Sequence, residues 1–275
     1  MSEPVVSQPP AAVAPMSGGA PAPERRLVLW DVDCTLIDPA GFGREAMHTA
    51  FERIFGTPVT VRVPFAGRTD LAIVRDFLAH RAGRDAPDDD SDGVAAFQDL
   101  AAAIAEQQRH TFLAGGGHVL PGAVDALAAL AAVPGVVQSV LTGNMRRIGL
   151  VKLSAAGLAE DPLDLDVAAF GDATAVRAEL VDVARELAER KYSASFHAGA
   201  VVIVGDTPFD VEAALARGAT AVGVATGPYS EDELASAGAH LVLPDLTRTD
   251  RLLAAVQDGR PRDRATTEAR RDRPA

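Results

Sequence analysis

Short apolar runs that stop abruptly in polar or glycine residues recur along the chain at Leu27–Trp30, Val136–Leu141, Val201–Val204, Ala221–Ala225 and Leu241–Leu243. Unbroken apolar stretches of this length predict strands buried on both faces. Between them, apolar residues at three- and four-residue spacing predict helices over Ala123–Ala132, Ile148–Ala156, Ala175–Arg190 and Val211–Arg217. A weaker run, Leu165–Phe170, predicts a further strand. Strand alternating with helix argues for parallel strands joined by crossover helices, hence an α/β fold with a doubly wound parallel sheet and helices on both faces.

The rhythm breaks between about Pro39 and His118. That stretch lacks strand patterns and shows helical spacing over Phe42–Phe55, Leu71–Ala79 and Val94–Leu113, with Gly56–Pro64 and the acidic run Asp85–Asp92 as its loops. It predicts a helical domain (39–118) inserted into a core made of 26–38 and 119–256. Residues 1–25 are rich in Pro, Ala and Gly without a basic start and an apolar run, which predicts a disordered leader, not a signal peptide. Residues 257–275, with Arg260, Arg262, Arg264, Arg270, Arg271 and Arg273 among acids and prolines, predict a solvated tail.

Charge narrows the partners. Lys and Arg total 26 against 38 Asp and Glu, and a net charge of -12 repels nucleic acid and anionic membrane surfaces. A small phosphorylated substrate stays compatible, because a bound cation reverses the local field inside a cleft. Cys34 is the single cysteine, so neither an internal disulfide nor a thiolate zinc cage can form, and a reducing cytoplasm fits. No run approaches the roughly 18 apolar residues of a membrane span.

In an open parallel sheet, ligands bind beyond the carboxyl ends of the strands. Three predicted strands run directly into polar residues there: Asp31-Val32-Asp33, Thr142-Gly143-Asn144, and Gly205-Asp206 with Asp210 shortly after. On the predicted fold these converge at one rim of the sheet. Clustered carboxylates repel unless a cation binds them, and an all-oxygen set without paired His or Cys favours a hard ion such as Mg²⁺. The twelve-residue acidic loop of a calcium site is absent from the sequence. Taken singly, each motif is equally readable as a turn or a helix cap; their joint occurrence carries the signal.

These residues resemble the haloacid dehalogenase superfamily, in its phosphoglycolate-phosphatase-like branch with a helical cap on a Rossmann-like core. The likeness spans about Leu27 to Leu246. Asp31-Val32-Asp33-Cys34-Thr35-Leu36-Ile37-Asp38 is similar to the first family motif, Thr142-Gly143-Asn144 to the second and Gly205-Asp206-Thr207-Pro208-Phe209-Asp210 to the fourth. Gly67-Arg68-Thr69-Asp70, Pro121-Gly122 and Gly223-Val224-Ala225-Thr226-Gly227 add to it.

The resemblance implies a Mg²⁺-dependent phosphatase working through an aspartyl phosphate. It implies Asp31 as nucleophile and Asp33 as general acid and base. Thr142, with Gly143 and Asn144, would bind phosphate. Asp31, the Asp33 carbonyl and Asp206 would hold the metal, with Asp210 orienting its waters. The family's third motif supplies a cation, usually Lys-Pro, which this sequence lacks. Arg177 stands where the motif is expected and is favoured over Lys152, on the helix after the second motif. Cys34 departs from the common glycine, which puts the local turn geometry in question. Arg44, His48 and Arg68 are candidates for contacting a polar leaving group in the cap, although Gly67–Asp70 reads equally as a turn with Thr69 or Asp70 capping a helix. A phosphomutase on the same fold and a catalytically idle binding protein are the rival readings; a P-loop is absent from the sequence.

Overall fold

A computed structural model of the chain describes residues 25–60, 62–82 and 91–258. Its strands are β1 (Arg26–Trp30), β2 (Ile37–Asp38), β3 (His118–Val119), β4 (Val136–Thr142), β5 (Ala169–Phe170), β6 (Val201–Gly205), β7 (Thr220–Val224) and β8 (Leu241–Leu243). Six of them form one sheet in the order β5-β4-β1-β6-β7-β8, with every pairing parallel. Alternate residues go to opposite faces, as the strand period requires. Leu27, Leu29, Val201 and Ile203 pack into one apolar cluster; Val28, Trp30, Val202 and Val204 pack into another.

Helices cover both faces. Of α1 (Phe42–Phe55), α2 (Asp70–Ala82), α3 (Ser91–Gln107), α4 (Thr111–Ala114), α5 (Ala123–Ala131), α6 (Arg146–Ala155), α7 (Arg177–Tyr192), α8 (Pro208–Ala216), α9 (Glu231–Ser236) and α10 (Thr249–Asp258), α7, α8 and α9 pack on the Leu27 side and α5, α6 and α10 on the Val28 side. This is the doubly wound α/β architecture predicted from the apolar runs. Trp30, fully buried, donates its indole N–H to Gln138 Oε1 at 3.2 Å, and Gln138 in turn donates to the Leu127 carbonyl. A core polar pair is thereby satisfied.

Helices α1 to α4 lie between β2 and β3, which pair antiparallel through Ile37 with Val119 and Asp38 with His118. The chain thus leaves the sheet and returns to it through two hydrogen-bonded strands. Phe51, Phe65 and Phe97 each pack against Phe77 within this helical segment, with ring centroids 5.6 to 6.2 Å apart. No described helix is long and apolar enough to cross a membrane.

Local chemistry overrode pattern at several places. Only Ala169–Phe170 of the run Leu165–Phe170 is strand; Leu165–Val167 is a 3₁₀ turn, because the Asp164 carboxylate accepts the Asp166 N–H at 3.1 Å and holds the chain in a cap. The helix expected over Val94–Leu113 divides into α3 and α4 where the Thr111 hydroxyl donates to the Gln108 carbonyl. Helix α7 begins at Arg177 instead of Ala175, after Thr174 Oγ1 accepts the Val176 N–H. The Ile37–Asp38 and His118–Val119 pair is too short to show period-two alternation in sequence. The leader expected over 1–25 lies outside the described residues apart from Arg25, as do Asp85–Asp90 of the acidic run and residues 259–275 of the tail; Gln257 and Asp258 complete α10.

Candidate functional site

Because β1, β4 and β6 are neighbours and parallel, their carboxyl ends meet at one rim. Asp31 follows β1 and is anchored there by its own N–H, which donates to the Val204 carbonyl at 2.8 Å. Thr142 ends β4, Asp206 follows β6, and Asp210 lies in the first turn of α8. All four are buried. Carboxylate oxygens of Asp31, Asp206 and Asp210 lie within 4.8 Å of one another. A cavity of about 380 Å³ opens over them, with Asp31, Asp33, Thr142, Arg177 and Asp206 in its wall.

Arg177, at the start of α7, is the cation of this cluster. Its guanidinium lies 3.1 Å from Asp31 Oδ1 and donates through Nε to Asp210 Oδ1 at 2.9 Å. Burial opposes the Arg177 charge, but Asp210 and Asp31 more than offset that and hold its pKa above the ordinary guanidinium value. The second Asp210 oxygen accepts the N–H and hydroxyl of Thr207, and Thr207 Oγ1 accepts the Asp210 N–H, a reciprocal cap at the start of α8. Asp210 is therefore saturated by protein donors, whereas Asp31 and Asp206 are not. Thr35 Oγ1 approaches Asp206 Oδ1 at 3.4 Å.

One guanidinium cannot neutralise three buried carboxylates. Burial, reduced by Arg177 and reinforced by Asp210 and Asp33, pushes the Asp31 carboxyl up to about 7. Burial, then Asp31 and Asp210, pushes Asp206 well above its usual range. A hard cation fits this oxygen-only donor set, with Asp31 and Asp206 facing the cavity and Asp210 behind them. Space around Asp206 is made by Gly227, where a side-chain carbon would collide with Asp206 Oδ2.

Lys152 does not join Arg177. It is 2% exposed on α6, and its ammonium donates to Asp33 Oδ2 at 2.5 Å and to Asn144 Oδ1 at 2.6 Å. Asn144 Nδ2 donates onward to Thr142 Oγ1 at 2.9 Å. Cys34 lies at φ 58°, in the left-handed region that favours glycine. Its carbonyl accepts the Thr226 hydroxyl at 2.5 Å, and burial, then Asp206 and Asp33, pushes its thiol up to about 12.

The helical segment reaches the same cavity. Thr69 Oγ1 accepts the Ala72 N–H and caps α2. Asp70 caps a different helix: its Oδ2 accepts the Met145 N–H at 2.7 Å, at the start of α6. Its own N–H donates to the Gly143 carbonyl at 2.6 Å, and the Leu71 N–H donates to the Gly171 carbonyl at 3.0 Å. Burial pushes the Asp70 carboxyl up to about 7 despite the Met145 N–H and Lys152, which lower it. A side chain at Gly143 would collide with the Arg68 carbonyl, so glycine is what lets the two segments meet. The 75-residue separation of Asp70 from Met145 leaves no local sequence signal for that bond.

Arg68 lines the cavity, but its guanidinium pairs with Asp76 at 2.7 Å. Arg44 also lines it and stacks over the Phe65 ring at 5.1 Å. His48 is outside the cavity wall, edge-on to Phe65 and Phe77, and burial followed by Arg44 lowers its pKa.

Comparison with known proteins agrees with this geometry. Residues 178–249 match a family model described as HAD-hydrolase-like. A phosphoglycolate phosphatase of Rhodospirillum rubrum is 31% identical over 244 residues, covering 88% of this chain and 96% of that protein. Among solved structures, a hydrolase from Pseudomonas syringae aligns with TM-score 0.58 and 21% identity over 84% of this chain and 99% of its own. CbbY from Rhodobacter sphaeroides, solved in complex with phosphate, aligns with TM-score 0.58 and 21% identity over 82% of this chain and 96% of its own. With motif-bearing strand ends gathered at one rim and a relative of this identity matched along nearly its whole length, the chain belongs to the haloacid dehalogenase-like hydrolases, among their phosphatases of the phosphoglycolate-phosphatase type.

Proposed function

We propose that the chain is a Mg²⁺-dependent phosphomonoesterase for a small phosphorylated metabolite, with Asp31 as its nucleophile. The observation carrying this reading is the meeting of Asp31, Asp206 and Asp210 within 4.8 Å beside a buried Arg177, at the floor of a cavity. Asp31, the Asp33 carbonyl and Asp206 would hold the ion, whose positive charge offsets the repulsion between carboxylate and phosphate. Asp210 stands behind, its oxygens taken by Arg177 and Thr207.

An Asp31 oxygen forms a bond to phosphorus as the ester P–O bond breaks. The departing oxygen takes a proton from Asp33, giving an aspartyl phosphate and an alcohol. Water then attacks the phosphorus, passing a proton to Asp33, and Asp31 is released with inorganic phosphate. Arg177 serves as the third-motif cation, and the Thr142 hydroxyl with the Gly143 and Asn144 region binds phosphoryl oxygens. Residues 39–118 act as a cap that excludes water and carries the leaving-group contacts, Arg44 and Arg68 being the cations at that wall. The cavity suits a small ester, and the Rhodospirillum relative puts phosphoglycolate first among those to try. The single cysteine suits a cytoplasmic protein.

Assay of the purified chain with small phosphate esters tests this. Phosphate release is expected only with Mg²⁺, and Asp31→Asn should lower turnover by about 10³-fold or more while leaving the melting temperature within a few degrees. Turnover by Asp31→Asn at the wild-type rate, or wild-type turnover that survives chelation of divalent ions, overturns the proposal.

A further inference from the structure

A buried lysine must be explained by what it touches, because taking an ammonium out of water costs several kcal/mol unless acceptors replace the solvent. Lys152 has two such acceptors, Asp33 Oδ2 at 2.5 Å and Asn144 Oδ1 at 2.6 Å, and both belong to cavity-wall residues. We propose that Lys152 is the positioning residue for Asp33 and, through Asn144, for the Thr142 hydroxyl. This assignment rests on the phosphatase reading above. It separates the two cations: Arg177 attends Asp31 and Asp210, and Lys152 attends the proton-transfer side.

The hydrogen bonds give the assignment direction. With Oδ2 held by Lys152, Asp33 keeps Oδ1 buried and without a hydrogen-bond partner among the described residues. The Asp33 side chain as a whole is 33% exposed, so the carboxyl that Lys152 holds still faces the cavity a leaving group would enter. At the other end of the relay, Thr142 Oγ1 accepts from Asn144 Nδ2 at 2.9 Å and from the Asn144 N–H at 3.3 Å. Both hydroxyl lone pairs are then occupied, so the hydroxyl hydrogen is left to donate. Lys152 thereby fixes one group that exchanges a proton and another that donates to phosphate. Gly43 of α1 closes over the ammonium: a side-chain carbon there would stand 2.9 Å from Lys152 Nζ. The helical segment and the core jointly enclose this cation, which explains why it is so little exposed.

Leaving-group dependence tests the assignment. An aryl phosphate such as p-nitrophenyl phosphate departs without a proton, whereas glycerol phosphate needs one, and kcat/KM reports only steps through the first irreversible transfer. Lys152→Met is expected to lower kcat/KM for glycerol phosphate by about 10²-fold or more, and for p-nitrophenyl phosphate by less than about 10-fold. Because the single variant strands the Asp33 charge, Asp33→Asn and the Asp33→Asn/Lys152→Met double variant complete the cycle. In the Asp33→Asn background, Lys152→Met should act alike on both esters and by less than about 10-fold, the part carried through Asn144 and Thr142. Equal losses on both esters in the single variant, a rise in KM alone, or full additivity with Asp33→Asn would each refute the positioning role. Wild-type protein that cleaves neither ester with Mg²⁺ overturns the phosphatase reading and, with it, this inference; wild-type activity with equal losses overturns only the latter.

Discussion

Cys34 shows how much of a site can rest on one backbone angle. A residue with a side chain in the left-handed region is disfavoured by about 1–2 kcal/mol relative to glycine, which enters it freely. The chain accepts φ 58° at Cys34 because flanking bonds fix the turn: the Cys34 N–H donates to the Ile37 carbonyl at 2.7 Å, and Thr226 holds the Cys34 carbonyl. A glycine at this position would enter the same angle without that cost. Cys34→Gly is expected to keep phosphatase activity and to shift unfolding free energy by less than about 1 kcal/mol, relief of strain being set against the greater freedom of glycine in the unfolded chain. Urea melts check this; a loss beyond about 2 kcal/mol would mean that the packed thiol matters more than the angle.

At the scale of elements, the contact between the start of α2 and the start of α6 is the joint that ties helical segment to core. It consists of the Asp70 side chain on the Met145 N–H and the Asp70 and Leu71 N–H groups on the carbonyls of Gly143 and Gly171. Burial raises the Asp70 carboxyl from its unfolded value near 3.8 to about 7, so the folded chain binds the proton more tightly than the unfolded one. Its contribution is fully present below about pH 3.8 and is lost as pH rises through 7. Asp70→Asn retains a side-chain acceptor without the charge. The variant should gain stability over wild type as pH rises from 4.5 to 7.5, on the order of 1–3 kcal/mol, read from denaturant melts at each pH. Parallel stability curves would contradict it. Strand ends were legible in the sequence because an unbroken apolar run followed by Asp or Thr has few other meanings. The joint was not, since it depends on backbone groups far apart in the chain, and the 3₁₀ turn after Asp164 was hidden by a side-chain cap inside an apolar run.

For the whole molecule, the same division holds: local pattern announces the sheet, and tertiary contact decides how the inserted helices sit on it. Lys152 illustrates the point: its charge favours solvent, yet it stands four residues after buried Ile148 on the inward face of α6, where α1 and Asp33 enclose it. A second contact between insert and core is ionic. Arg147 of α6 meets Glu106 at 2.8 Å and Asp99 at 3.2 Å, both on α3, with about half of each side chain or more in solvent except Arg147 at 43%. Exposed pairs of this kind contribute about 0–1 kcal/mol and weaken with salt. Arg147→Ala should therefore cost less than about 1 kcal/mol, a cost that shrinks further in 1 M NaCl. A larger loss, insensitive to salt, would show that Arg147 acts through packing of its aliphatic stem.

The two-strand ribbon of Ile37–Asp38 with His118–Val119 has a consequence for how such a protein can change. Its paired residues stand roughly 5 Å apart, so the intervening stretch leaves and rejoins the core through what is geometrically a single doorway. Asp31 and Asp33 precede that doorway, and Thr142, Arg177 and Asp206 follow it. A length of foreign chain with neighbouring ends could join both strands without breaking the sheet, but it would have to replace the Gly67 carbonyl that accepts from Arg177 and the Asp70 cap on α6. Under the function proposed above, the reacting groups would stay with the sheet while the leaving-group contacts travel with the insert, so a search for altered specificity would begin at this doorway.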